Sequence, residues 1–211
     1  MLAELRVEII RLRGFAGKEV SQVTKLSECR TEQNVLKAFQ TESQLREEYA
    51  SFAEIAEREG KMQLAKIFRA SSASEDIIAR MFLRSLHETA YGTSELWAAG
   101  LFDTKKVKDS SKENLATALN EARGVMSMYP QMIKDAEKEG AIWDLAREFF
   151  SYAESVEKAH ATIFEKALES FDALSDVDYY VCESCGNTVE KSPSETCQIC
   201  KSKKSAFKVV H

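Results

Sequence analysis

Proline is nearly missing from this chain: Pro130 and Pro193 are the only two in 211 residues. Glycine is scarce as well, with 8. So few breakers leave few places to turn and favour long helices. Long apolar runs are absent too, none approaching the roughly 18 residues needed to span a membrane. The opening stretch, MLAELRVEIIRLRGFAG, carries acids and arginines among its apolar residues. It therefore lacks the unbroken apolar core of a secretory signal. Positive charge is not in excess either: the net charge is −5, which excludes a general nucleic-acid surface. What is present is an ordinary soluble balance, 30% charged and 44% hydrophobic. The length suits one good core and a small appendix. A cytoplasmic location is expected, where thiols stay reduced. Five cysteines in that compartment point to metal binding before disulfides. Four lie in the last 30 residues, and Cys29 stands apart.

Helical spacing recurs four times. Val35, Leu36, Ala38, Phe39, Leu45, Tyr49, Phe52, Ile55 and Ala56 mark a helix over 32–58, stopped at Glu59-Gly60. Leu64, Ile67, Phe68, Ile77, Ile78, Met81 and Phe82 mark a second over 62–87. A looser segment of about 20 residues follows, long enough for a crossover. A third helix, capped by Ser110 or Ser111, is expected to reach Gly140, and a fourth to run over 142–174. This order predicts an all-α antiparallel four-helix bundle with one long crossover. The helix pairs read as an internal repeat. Asn34, Ala38, Phe39, Tyr49, Ala56, Glu59 and Gly60 recur 80 residues later as Asn114, Ala118, Leu119, Tyr129, Ala136, Glu139 and Gly140. A duplicated hairpin with pseudo-two-fold symmetry follows. The domain boundaries are then 1–30 for an N-terminal extension, 31–174 for the bundle and 175–211 for the appendix.

The appendix holds Cys182-Glu-Ser-Cys185 and Cys197-Gln-Ile-Cys200, with 11 residues between the pairs. Two spaced thiolate pairs supply four tetrahedral ligands. A segment of about 36 residues cannot bury enough apolar surface to fold alone, so the metal supplies much of its stability. Two disulfides in a secreted module are the poorer reading. The spacing alone admits iron or structural zinc equally. Gly186 suits the tight turn after the first pair. Lys201 holds the matching place in the second, where a left-handed turn costs on the order of 1 kcal/mol.

Glu157 and His160 stand three apart on a face shared with Ala153, Val156, Phe164 and Leu168. A Glu-x-x-His pair projecting into a bundle core is a metal-ligand pattern, though a weak one alone. Glu42 lies between inward Phe39 and Leu45, and Glu75 seven residues after Phe68. Several buried carboxylates that converge need a cation. Cys29 reads as a small helix-end residue, His87 as a surface residue at a helix end, and Trp97 and Trp143 as packing residues. Lys201, Lys203, Lys204 and Lys208 form a basic edge that is either a solvated face or a dock for an acidic electron donor.

With those residues in view, the chain resembles a rubrerythrin. The resemblance rests on Asn34, Ala38-Phe39 and Glu42-Ser43; Tyr49, Phe52-Ala53 and Glu59-Gly60; Phe68-Arg69; Met128-Tyr129-Pro130; and Val156-Glu157-Lys158 with His160. Tyr180 through Cys200, with Phe207, resembles that family's rubredoxin-like module. The resemblance implies a ferritin-like bundle with a di-iron centre and a rubredoxin-like four-cysteine iron site. It implies two-electron reduction of hydrogen peroxide to water, commonly in a head-to-tail homodimer, with electrons from a small donor protein or reductase. It makes Glu42 a terminal carboxylate, Glu75 and Glu157 bridging carboxylates, and His160 the imidazole ligand. Cys182, Cys185, Cys197 and Cys200 become an electron port, which favours iron there, with zinc as a substitute.

The sequence departs from that pattern twice. The second helix reads Glu75-Asp-Ile-Ile78 where the family carries Glu-x-x-His. The third should carry Glu-x-x-Glu. Counting back from Tyr129 those places hold Glu121 and Gly124; counting forward from Asn114 they hold Ala122 and Val125. The counts disagree because the family's helix has one extra residue, the mark of a π-bulge, which here is expected to be gone. Under either count the second glutamate is missing, while Glu121 remains a candidate ligand under the first. The expectation is an asymmetric bundle site with one competent position and one weak or empty. The functional expectation is a peroxide-reducing non-haem iron oxidoreductase of oxidative-stress defence. The competing expectation is a degenerate member that transfers electrons, binds metal or acts as a scaffold without peroxide turnover. An apolar ligand in the emptied pocket is a third.

Overall fold

A computed structural model of the chain describes residues 29–88 and 106–211. The N-terminal extension up to Glu28, most of the crossover, Trp97 and the side chain of His87 lie outside the described residues. Helices α1 (Arg30–Arg58) and α2 (Met62–Glu88) form the first hairpin. The second comprises α3 (Ser111–Met126), α4 (Tyr129–Glu139), a short 3₁₀ turn (Ala141–Trp143) and α5 (Asp144–Glu169). No described helix is long and apolar enough to cross a membrane. Ser110 caps α3 by accepting from the Glu113 amide at 3.4 Å.

The expected third helix is broken in two. Pro130 has no N–H for the Met126 carbonyl, and its ring crowds that carbonyl. The chain yields at Ser127-Met128, where the Met128 amide tightens onto Val125 at 3.0 Å before α4 begins. The last helix also stops short of Leu174, ending at Glu169. The residues beyond it fold back, and Phe171 lies under the ammonium groups of Lys61 and Lys112.

The two hairpins cap each other. Glu139 accepts from the Arg30 and Thr31 amides and from the Cys29 thiol, each at 2.8 Å, and so satisfies orphan donors at the start of α1. Glu59 accepts from the Ser111 amide at 3.1 Å and from its hydroxyl, at the start of α3. Thr31 and Ser111 are 80 residues apart, as are Glu59 and Glu139. The repeated Glu-Gly stop is thus a reciprocal brace between the halves. Burial and the Glu139 bond push the Cys29 thiol up to about 11, so it is a structural donor.

The core is layered. On α2, Glu75 sits seven residues from both Phe68 and Phe82; on α5, Glu157 sits seven from both Phe150 and Phe164. Seven residues are two turns, or about 10 Å. One aromatic layer packs Tyr49, Phe52, Phe68 and Phe164; the other packs Phe82, Tyr129 and Phe150, with centroids 5.3–6.2 Å apart. The carboxylates lie between these two dry layers.

The appendix is a three-stranded antiparallel sheet in the order β2-β1-β3, with β1 Tyr179–Cys182, β2 Thr188–Glu190 and β3 Phe207–Val210. It packs on α2 and α5 of its own chain. The Ser74 hydroxyl donates to the Gly186 carbonyl at 2.6 Å.

Candidate metal centres

Two tight turns build the four-cysteine site. In the first, the Gly186 amide reaches the Cys182 carbonyl at 2.8 Å; in the second, the Lys201 amide reaches the Cys197 carbonyl at 3.1 Å. Both turn residues are left-handed, Gly186 at φ +81 and Lys201 at φ +63. The sulfurs of Cys182 and Cys200 stand 3.7 Å apart, and those of Cys185 and Cys197 3.6 Å. A disulfide needs about 2.05 Å. Tetrahedral thiolates at metal–sulfur distances of about 2.3 Å stand about 3.8 Å apart, so the spacing fits one metal ion. Asn187 Nδ2 donates to Cys197 at 3.6 Å, and the Ser184 and Asn187 amides donate to Cys182 and Cys185. The Cys185 thiol, followed by the backbone donors, lowers Cys182 to about 5, and Cys185 is pushed up in return. The basic edge is partly answered within the module. Lys204 faces Glu195 at 3.8 Å, Lys208 faces Glu183 at 3.9 Å, and Lys201 donates to the Gln198 carbonyl.

In the bundle, Glu75, Glu157 and His160 are fully buried, and ligand atoms from all three lie within 4.8 Å of one another. His160 Nδ1 is 3.0 Å from Glu75 and 3.7 Å from Glu157. Burial pulls His160 down, but the Glu75 charge and the closeness of both carboxylates outweigh it and raise it to about 10. Burial and the Glu75 charge raise Glu157 to about 8. Glu42 is buried alongside, accepts from the Tyr129 hydroxyl, and lies within hydrogen-bonding reach of Glu75. Burial, then the Glu157 and Glu75 charges, hold its carboxyl well above the usual range. Both oxygens of Glu75 and of Glu157, one of Glu42, and His160 Nδ1 have no hydrogen-bond partner. So many orphaned buried acceptors on one point are the donor set of a cation.

The fold brings Glu42, Glu75, Glu157 and His160 together; it does not bring Glu121 to them. Helix α3 is regular over Ser111–Met126 and turns Ala122 and Val125 inward, both buried. Glu121 instead pairs with Lys106 at 2.8 Å and lies beside buried Glu48, one oxygen of which accepts from Gln44. Burial and the neighbouring Glu48 carboxylate raise Glu121 to about 7.

The repeat shows where the two halves differ. An 80-residue offset relates Glu42 to Ala122 and Tyr49 to Tyr129. An offset of 82 relates Phe68, Glu75, Ile78 and Phe82 to Phe150, Glu157, His160 and Phe164. The two central carboxylates are thus pseudo-symmetric mates. Glu42 and His160 have apolar mates, Ala122 and Ile78, both fully buried.

Three other polar residues bear on the site and were not singled out as functional from the sequence. Tyr129 bonds Glu42, and the buried Tyr49 hydroxyl has no partner. Thr188, from the cysteine module, lies 3.4 Å from His160 Nε2. The repeat carried a signal for the tyrosines; nothing in the sequence pointed to Thr188, because the contact is between modules.

The rubrerythrin family model matches residues 33–168. Rubrerythrin-2 of Clostridium acetobutylicum is 32% identical over 81% of this chain and 91% of its own length. Nigerythrin of Nitratidesulfovibrio vulgaris is 26% identical over 97% of this chain and 98% of its own. A solved structure of nigerythrin in a mixed-valence state superposes with a TM-score of 0.73 at 26% identity, covering 92% of this chain and 90% of that one.

Proposed function

The chain belongs to the rubrerythrin family of non-haem iron proteins, and from that premise we propose that it takes electrons in at the four-cysteine site and reduces hydrogen peroxide at the bundle site. The contact between Thr188 and His160 carries this reading, because it joins the two candidate centres within one chain. Cys182, Cys185, Cys197 and Cys200 would hold one iron, and Glu75, Glu157 and His160 would hold another, with Glu42 beside them. Bound iron supplies one-electron redox chemistry at both places. The rest falls to the protein. The aromatic layers keep bulk water from the carboxylates. Reducing peroxide to two waters consumes two electrons and two protons. Glu42, held protonated by burial and oriented by the Tyr129 hydroxyl, keeps one proton beside Glu75. The electrons come from a reductase or small donor protein docking at the cysteine module.

The second reading is a member that transfers electrons or binds metal without peroxide turnover. Buried Ile78, Ala122 and Val125 favour it, since no described side chain on that side offers a second ligand set. Iron content, the visible spectrum and peroxide consumption with a chemical reductant decide between them. The peroxidase reading expects turnover that Glu157→Ala abolishes, and that Cys182→Ser slows while removing the iron–thiolate colour. An intact red spectrum without turnover selects the second.

A further inference from the structure

Thr188 stands where the cysteine module meets the bundle, and its hydrogen bonds leave one arrangement open. The Gly186 carbonyl accepts from the Ser74 hydroxyl at 2.6 Å and from the Thr188 hydroxyl at 3.2 Å. Thr188 has a single O–H, and the Gly186 carbonyl is placed to take it. Its oxygen, 3.4 Å from His160 Nε2, is then free to accept. In that arrangement His160 Nε2 carries the hydrogen and Nδ1 is the ring nitrogen with a free lone pair once the ring is neutral. Nδ1 is the atom beside Glu75 and Glu157, and it has no hydrogen-bond partner. A histidine that binds metal usually has its other N–H fixed by such a partner.

Here the partner comes from the other module. Thr188 pairs with Val181 in the sheet, and the Cys182 amide bonds the Asn187 carbonyl at 3.0 Å. The position of Thr188 thus depends on the turn that the four-cysteine metal folds.

We infer that Thr188 is a positioning residue that fixes the ligating face of His160, so that filling the four-cysteine site raises the affinity of the bundle for its cation. The coupling is reciprocal, as linkage requires. It rests on the bundle holding a metal ion, as proposed above, but not on peroxide chemistry.

The test uses the full chain with its cysteine site filled by Zn²⁺, titrated with Co²⁺ and read by the visible absorption of the bundle ion. Thr188→Val is expected to weaken Co²⁺ binding by about 10- to 100-fold, the usual effect of losing a ligand's outer partner. Thr188→Ser, which keeps the hydroxyl, restores it. Cys182→Ser weakens it as Thr188→Val does. In the diamagnetic Zn²⁺-loaded chain, the His160 Nε2 proton is slow to exchange, and Thr188→Val accelerates the exchange. Unchanged Co²⁺ affinity in Thr188→Val overturns the inference, and so does equal weakening in the valine and serine variants, which would indicate packing instead of the hydroxyl. A wild-type chain that takes up no Co²⁺ in the bundle overturns both this inference and the bundle-metal premise. Normal Co²⁺ coupling without peroxide turnover sinks the peroxidase reading and leaves this one standing.

Discussion

Gly186 and Lys201 occupy matching places in the two chelating turns, and replacing each tests how the cysteine module sits on the bundle. Both are left-handed, at φ +81 and +63. For a residue with a side chain that conformation costs roughly 1–2 kcal/mol. Lys201 bears this cost in open surroundings, so Lys201→Gly should stabilise the module by up to about 1 kcal/mol. Gly186→Ala faces the same backbone cost and a steric one besides. A Cβ there would stand 2.8 Å from Ser74 Oγ, and 3.1 Å from both the Ser74 carbonyl and Ile78 Cγ1. If Ser74 swings aside, its buried bond to the Gly186 carbonyl is lost, costing about 1 kcal/mol or more. If it stays, the crowding costs about 1–3 kcal/mol. Added to the backbone cost, the total is about 2–5 kcal/mol. The loss belongs to docking, not to the bundle's own fold. Denaturant unfolding of the iron-loaded chain should therefore show the iron–thiolate absorbance of Gly186→Ala lost at lower denaturant, while the far-UV helix signal moves little. A Gly186→Ala penalty no larger than the Lys201→Gly gain would refute the close approach of Gly186 to Ser74 and Ile78.

Other expectations follow from the same geometry. Glu121, raised to about 7 above an ordinary 4.5, binds a proton more tightly in the folded chain, so its ionisation removes stability as pH climbs through that window. Glu121→Gln should match wild type in urea near pH 4 and exceed it at pH 8 by up to about 3 kcal/mol; a difference independent of pH would contradict the Glu48 pairing. Glu139→Ala strips the Arg30 and Thr31 amides of their acceptor and should cost about 1–2 kcal/mol. Glu59→Ala should cost a similar amount at α3, and thermal melts showing no loss in either variant would remove the reciprocal brace. A bundle cation must displace protons from Glu157 and His160, so its apparent affinity should fall as pH drops below about 10, and more steeply below about 8, measurable by Co²⁺ titration with proton release; pH-independent binding would place the ion elsewhere.

The long helices were legible because scarce breakers and a 3.6-residue apolar period point the same way. The break at Ser127-Met128 was not, because the apolar pattern continues across it. Counting back from Tyr129 assumes an extra residue that the regular helix α3 lacks, and so lands on Glu121. Counting forward from Asn114 stays within α3 and reaches Ala122 and Val125, the residues that face inward. The Glu-Gly repeat was visible as a pattern, but its cause, each hairpin capping the other, exists only in three dimensions. The metal-ligand candidates were readable because a carboxylate in the middle of an apolar stripe is conspicuous. Thr188 was not readable, because a threonine in a short strand has no distinctive pattern until the bundle is placed beneath it.

Charge balance gives a reason, independent of ligand counting, to expect a single bundle cation. Glu42, Glu75 and Glu157 bring three carboxylates into a pocket where each side chain is fully buried. A buried charge without compensation is prohibitive, so the pocket must be close to neutral. One divalent cation and one proton achieve this with His160 neutral, and the proton already has a holder in Glu42. A second divalent cation would displace that proton and still leave the pocket positive, and among the described residues no further carboxylate joins Glu42, Glu75 and Glu157 there to answer it. A glutamate at Ala122, the mate of Glu42, would supply that carboxylate, and a histidine at Ile78 would supply a second imidazole. The chain has an apolar residue at both places. The losses are therefore matched in charge as well as in ligands, and a half-site that is consistent with itself is what the folded chain retains.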